Sequence, residues 1–85
     1  MNFCIAVFRS KTQVLEFMEY MRGRGVYCTA TGVPGEAHIG CGIAAKFNCG
    51  QHELAKNIVM ENGLDTFFAF YHIEKNGLRT STRRI

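Results

Sequence analysis

The chain has 85 residues, a formal net charge of +3, four cysteines, one proline and no tryptophan, which sets the expectation of one domain with a modest core. No apolar run approaches the roughly 18 residues of a membrane span, so no membrane is expected among its partners. Residues 1–73 balance six basic against six acidic side chains, and the excess sits in residues 74–85, where Lys75, Arg79, Arg83 and Arg84 face Glu74 alone; a neutral body lacks the basic face that phosphate-backbone binding needs, and nucleic acid is not indicated.

In chain order, Phe3-Cys4-Ile5-Ala6-Val7-Phe8 is a short apolar run that fits a buried strand. Ser10 opens a helix, with Ser10-Lys11-Thr12-Gln13 matching a capping box. Val14, Leu15, Met18 and Met21 follow at helical spacing, and Gly23 and Gly25 stop it. Residues 26–31 read as a second strand, rich in β-formers. A Gly- and Pro-containing loop spans residues 32–40. Residues 42–48 read as a third strand and 48–50 as a turn. A second helix is expected over residues 52–62, with Leu54, Ala55, Ile58 and Val59 inward. Residues 66–73 read as a fourth strand, and Asn76-Gly77 marks a turn or the start of a loose tail.

The order βαββαβ, with short right-handed connections, predicts an α+β, ferredoxin-like fold: a four-stranded antiparallel sheet with both helices on one face. The expected boundaries are a single domain over residues 1–75 and a basic, flexible tail over 76–85. The helix-free face should carry apolar side chains such as aromatics or Cys4, because strands 1 and 4 barely alternate. Contiguous exposed apolar area marks a partner. A homodimer packed sheet to sheet is the first expectation; an RNA surface is the weaker one, since the basic-glycine-aromatic signature is missing.

The cysteines carry the chemistry. The opening residues show no basic start or cleavage-like site, and no C-x-x-C pair is present. All four are therefore read as free thiols of a cytoplasmic protein. Cys4 and Cys28, in mid-strand, read as packing residues, and Cys49 as a turn residue with some scope for a lowered pKa. Cys41 differs, because Gly40 and Gly42 flank it and leave it uncrowded. In the expected topology the third strand lies antiparallel beside the first. That sets Cys41 near residues 8–12, where a helix N-terminus, Arg9 and Lys11 favour thiolate over thiol. Eight extended residues put Cys41 and Cys49 on the order of 26 Å apart, too far for a bridge between them. The same separation argues against zinc on His38-x-x-Cys41 and Cys49-x-x-His52, and no metal or cofactor is expected. Glu36 and His38 are either acid–base groups near Cys41 or solvated loop residues; His72 reads as a packed or edge histidine.

Pro34-x-Glu36 followed by Cys41-Gly42-Ile43-Ala44 and Lys46 resembles the Se/S (selenium/sulfur) carrier protein-like family, and the opening ending Phe8-x-Ser10 is similar to that family's start. The resemblance covers about residues 3–73. It implies a small bacterial protein that carries sulfur or selenium, with Cys41 as the carrying residue. Gly35 stands where such sequences tend to have a basic residue, and His38-Ile39-Gly40 where they have small polar ones. The expected function is thus a sulfur or selenium carrier, not a turnover enzyme, holding a persulfide or selenopersulfide on Cys41. Gly40, Gly42, Arg9, Ser10 and Lys11 would support the anionic sulfur, and a donor protein would supply it. The alternative is a small dimeric interaction or regulatory ligand-binding module without covalent chemistry.

Overall fold

The computed structural model describes residues 1–33 and 42–85. Among them the elements run β1 (Asn2–Phe8), α1 (Lys11–Gly23), β2 (Thr29–Gly32), β3 (Ile43–Phe47), a 3₁₀ turn (Cys49–Gln51), α2 (His52–Glu61), β4 (Phe67–Asn76) and β5 (Arg79–Arg84). The strands form one antiparallel sheet in the order β2-β3-β1-β4-β5.

The central place of β1 explains its unbroken apolar run. A strand covered on both faces needs no polar alternation. Cys4, Ala6 and Phe8 join Val14, Phe17 and Met21 of α1 and Ala55 and Ile58 of α2 in the larger core cluster. Phe3, Ile5 and Val7 turn to the helix-free face with Ala44 and Ile73, against Val33, Phe68 and Tyr71. A register shift between Val7 and Phe8 is the kind of irregularity that re-aims side chains. Phe67 and Phe70 lie in the helix-side cluster, and Phe68 on the other side.

The structure corrects the four-stranded, ferredoxin-like expectation: the sheet has five strands. The region read as a loose tail holds the fifth. Asn76 pairs with Arg79, so Gly77 and Leu78 form a two-residue turn. Gly77 has φ 62° and, among the described residues, no non-glycine residue has positive φ, the pattern of a hairpin turn with glycine at its first central position. From there Arg79 to Arg84 pair with Asn76 back to Tyr71. β5 escaped the sequence pattern because both its faces are polar. Five of its six residues are exposed, as suits an edge strand that discourages further pairing with charge.

The helix-free face is apolar as expected, but its centre is not open. Ile5, Val7 and Ala44 have no exposed surface, and Ile73 has 1%. Cys4 is not on this face; it lies on the helix side.

Candidate functional site

Cys41 and Gly40 lie outside the described residues, as do Pro34, Glu36 and His38. The flanks of that segment are described and fix where it enters and leaves the sheet. The amide of Val33, just after β2, donates to the carbonyl of Gly42 at 3.2 Å. Gly32 pairs with Ile43 and Val7 with Ala44. The start of β3 thus lies beside the end of β1, where the chain passes through Arg9 and Ser10 into α1. Gly42 has φ 90°, a left-handed conformation that glycine takes without a Cβ penalty. A Cβ built there meets nothing within 4 Å.

The start of α1 is built from its own polar residues. The Ser10 side chain accepts from the Gln13 amide at 3.3 Å, which makes it the N-cap. The reciprocal half of the predicted capping box is replaced by a longer reach. Gln13 Nε2 donates to Asp65 Oδ1 at 2.8 Å, and Oε1 accepts from the Thr66 amide (2.9 Å) and hydroxyl (2.7 Å). The Arg9 amide donates to the Thr66 carbonyl at 2.8 Å. These bonds tie the first turn of α1 to the segment entering β4. The start of an α-helix presents amide donors and the positive end of the macrodipole. Lys11 is exposed at this point. Arg9 is exposed too, but its guanidinium lies 5.8 Å from the Phe68 ring centroid, on the helix-free side. Arg9, Ser10, Lys11 and Gly42 therefore gather at one end of the sheet.

Of the three described cysteines, two are bonded to each other and one is free. Cys4 and Cys49 form a disulfide with Cα atoms 5.0 Å apart, inside the usual range. This corrects the reading of four free thiols. The pairing is spatial: Cys4 opposes Phe47, the last residue of β3. The next turn, in which the Gly50 amide donates to Asn48 Oδ1 at 2.7 Å, folds Cys49 back over it. No spacing motif carries that signal; the cue is a cysteine two residues beyond the residue that opposes Cys4. It also takes Cys49 out of the zinc half-site weighed with His52. Among the described residues no three His, Cys, Asp or Glu side chains gather as a metal site.

Cys28 is free and buried at 3% exposure. Burial pushes its thiol up to about 11, with Arg22 pulling weakly the other way. Loss of hydration penalises the thiolate, so this sulfur is neutral through the physiological range. His72 is half-buried on β4, with Nδ1 3.4 Å from Arg83 Nη2.

Four cations rest over two rings on the helix-free face. Lys46 and Lys75 lie 4.3 and 5.8 Å from the Phe3 centroid, and Arg84 joins Arg9 over Phe68 at 5.0 Å. These long side chains rim the apolar centre while their charged ends stay near water. Among the described residues, no helix is long and apolar enough to cross a membrane.

Compared with known families, residues 3–70 match the family described as Putative Se/S carrier protein-like. That match takes in β1 through the first four residues of β4 and the Cys41 block. No curated protein and no solved structure matches the chain.

Proposed function

Taking as premise that the chain belongs to the Se/S carrier protein-like family, we propose that it carries sulfur or selenium on Cys41. One observation supports this reading above the rest: the other three cysteines are unavailable. Cys4 and Cys49 are joined, and Cys28 is sealed with its pKa raised. Thiolate chemistry at neutral pH falls to Cys41. The helix start at Ser10 and Lys11 and the glycine at position 42 support an anionic sulfur arriving at that end of the sheet.

The step is a transfer between sulfurs. The Cys41 thiolate attacks the outer sulfur of a donor protein's persulfide, R–S–SH. The new S–S bond gives Cys41–S–SH, and the old one breaks to release the donor as R–S⁻. No net oxidation occurs and no cofactor is consumed. With selenium as the outer atom the same exchange gives Cys41–S–SeH. Delivery is the reverse attack by an acceptor nucleophile on the terminal atom. This is covalent group transfer without a general base of its own. The setting we assign is the thiol-rich cytoplasm. Cys4 has no exposed surface and Cys49 is half-buried, which limits thiol access to the bond between them.

The test is intact-mass measurement after incubation with a persulfide-bearing desulfurase and free cysteine. The protein gains the mass of one sulfur, Cys28→Ser gains it equally, and Cys41→Ser does not. A gain that survives Cys41→Ser, or no gain in the wild type, contradicts the assignment.

A further inference from the structure

The basic excess of residues 74–85 lies on an ordered strand pair, and part of it faces one way. Lys75 stands two residues beyond Ile73, and Arg84 opposes Tyr71, so alternation sets both on the helix-free face. Lys46 joins them opposite Ile5, and Arg9 lies over Phe68. None of the four is ion-paired with a described carboxylate; the described pairs, Arg22–Glu19, Arg24–Glu61 and Lys56–Glu53, lie along the helix layer. The described acidic side chains lie there too. Glu16 and Glu19 are on α1, and Glu53 and Glu61 on α2. Asp65 is bonded to Gln13 of α1, and Glu74, next to Ile73, alternates to the helix side. The sheet thus separates charge, with cations alone on one face.

Those cations stand in two pairs. Lys46 and Lys75 share the Phe3 ring, and Arg9 and Arg84 share Phe68. Phe3 opposes Ile73, five residues along β4 from Phe68, so the pairs lie roughly 16 Å apart along the strands. One small anion cannot reach both; an extended polyanion can. Tyr71 stands between them opposite Ile5, and both Tyr71 and Phe68 are half-buried, with part of their surface in solvent. A second copy packed sheet to sheet would set these like charges against each other.

We propose that the helix-free face binds single-stranded nucleic acid. The phosphates run along the strand direction from the lysine pair to the arginine pair, and unpaired bases stack on Tyr71 and Phe68. Exposed arginines that already lie flat on an aromatic ring suit both contacts, since the same guanidinium stacks and binds phosphate. A duplex fits poorly, because its bases are not free to stack and a flat sheet face does not enter a groove. This inference does not depend on the thiol chemistry of Cys41.

The test is fluorescence anisotropy of the whole chain with an end-labelled oligothymidylate of about 12 nucleotides. Binding saturates, and log K falls against log salt with a slope of about −2 to −3, as four phosphate contacts at about −0.7 each require. Arg84→Gln weakens binding about fivefold and makes the slope shallower by about 0.7. Arg83→Gln, one residue away on the other face of β5, changes neither. Tyr71→Ala weakens binding about tenfold and leaves the slope unchanged. The duplex of the same length, polyglutamate and phosphatidylserine vesicles each bind roughly fivefold more weakly or less well still. The proposal is overturned if any of those three binds as tightly as the oligothymidylate, or if Arg83→Gln costs as much as Arg84→Gln. Failure to saturate below about 100 μM also overturns it, and a dimer seen by sedimentation in that case hands the face to a second copy. Arg83 and Arg84 are both exposed, so their comparison stands whether or not Tyr71→Ala folds.

Discussion

At the scale of single residues, environment rather than residue type sorts the sulfurs. Cys28, just before β2, is held at about 11 by desolvation. The sign of its pH effect follows. Its folded pKa lies above the reference value of 9.0, so the contribution to stability is complete below pH 9 and is lost as pH rises through the folded value. Between those limits stability falls by up to about 3 kcal/mol. Urea unfolding across that interval shows the fall in the wild type and a flatter profile in Cys28→Ala. An identical slope in both would assign the fall to other groups. Gly42 makes the second prediction at this scale. Its φ of 90° strains any other residue, but open space surrounds the added Cβ. Gly42→Ala therefore lowers stability by about 1 kcal/mol without a clash, measured by the urea midpoint. A loss several times larger would mean a steric fault.

At the scale of elements, apolar periodicity located both helices and four of the strands but not every inward residue. Val14 and Met21 are buried as their spacing predicts; Leu15, placed with them, is 49% exposed, and Phe17 takes the core position instead. Phe17 touches rings on three strands, with Phe8, Phe47 and Phe70 at 5.4, 6.0 and 6.5 Å. Phe17→Ala leaves a cavity at that junction and costs about 3–5 kcal/mol, read from the unfolding midpoint; a loss under about 1 kcal/mol would place the junction elsewhere. β5 was illegible for a physical reason. Strand patterns are written by burial, and an edge strand of Arg, Thr and Ser buries almost nothing. Only the turn glycine announced it. Gly77→Val puts a β-branched residue at φ 62°, which is an outlier conformation. Hydrogen exchange at β5 amides then rises while β1 amides stay protected; unchanged β5 protection would show that the hairpin tolerates another turn.

At the scale of the whole molecule, the disulfide and the sheet order decide which chemistry remains. The neighbourhood of β1, β3 and the start of α1 was legible because pairing rules place the third strand beside the first. The Cys4–Cys49 bond was not, since it depends on where β3 stops and how the next turn folds. It closes 45 residues of chain, which chain-entropy reasoning values at about 4 kcal/mol. The double variant Cys4→Ser, Cys49→Ser is less stable by that order in urea, and a variant of unchanged stability would show the bond absent in solution. The most direct measurement of the central claim is alkylation of the native, unreduced protein at neutral pH, followed by peptide mapping over time. The account predicts label on Cys41 first and alone, on Cys28 only once the protein is unfolded, and on Cys4 and Cys49 only after reduction as well. Label appearing on Cys28 as fast as on Cys41, or a Cys41 that resists the reagent, would contradict it.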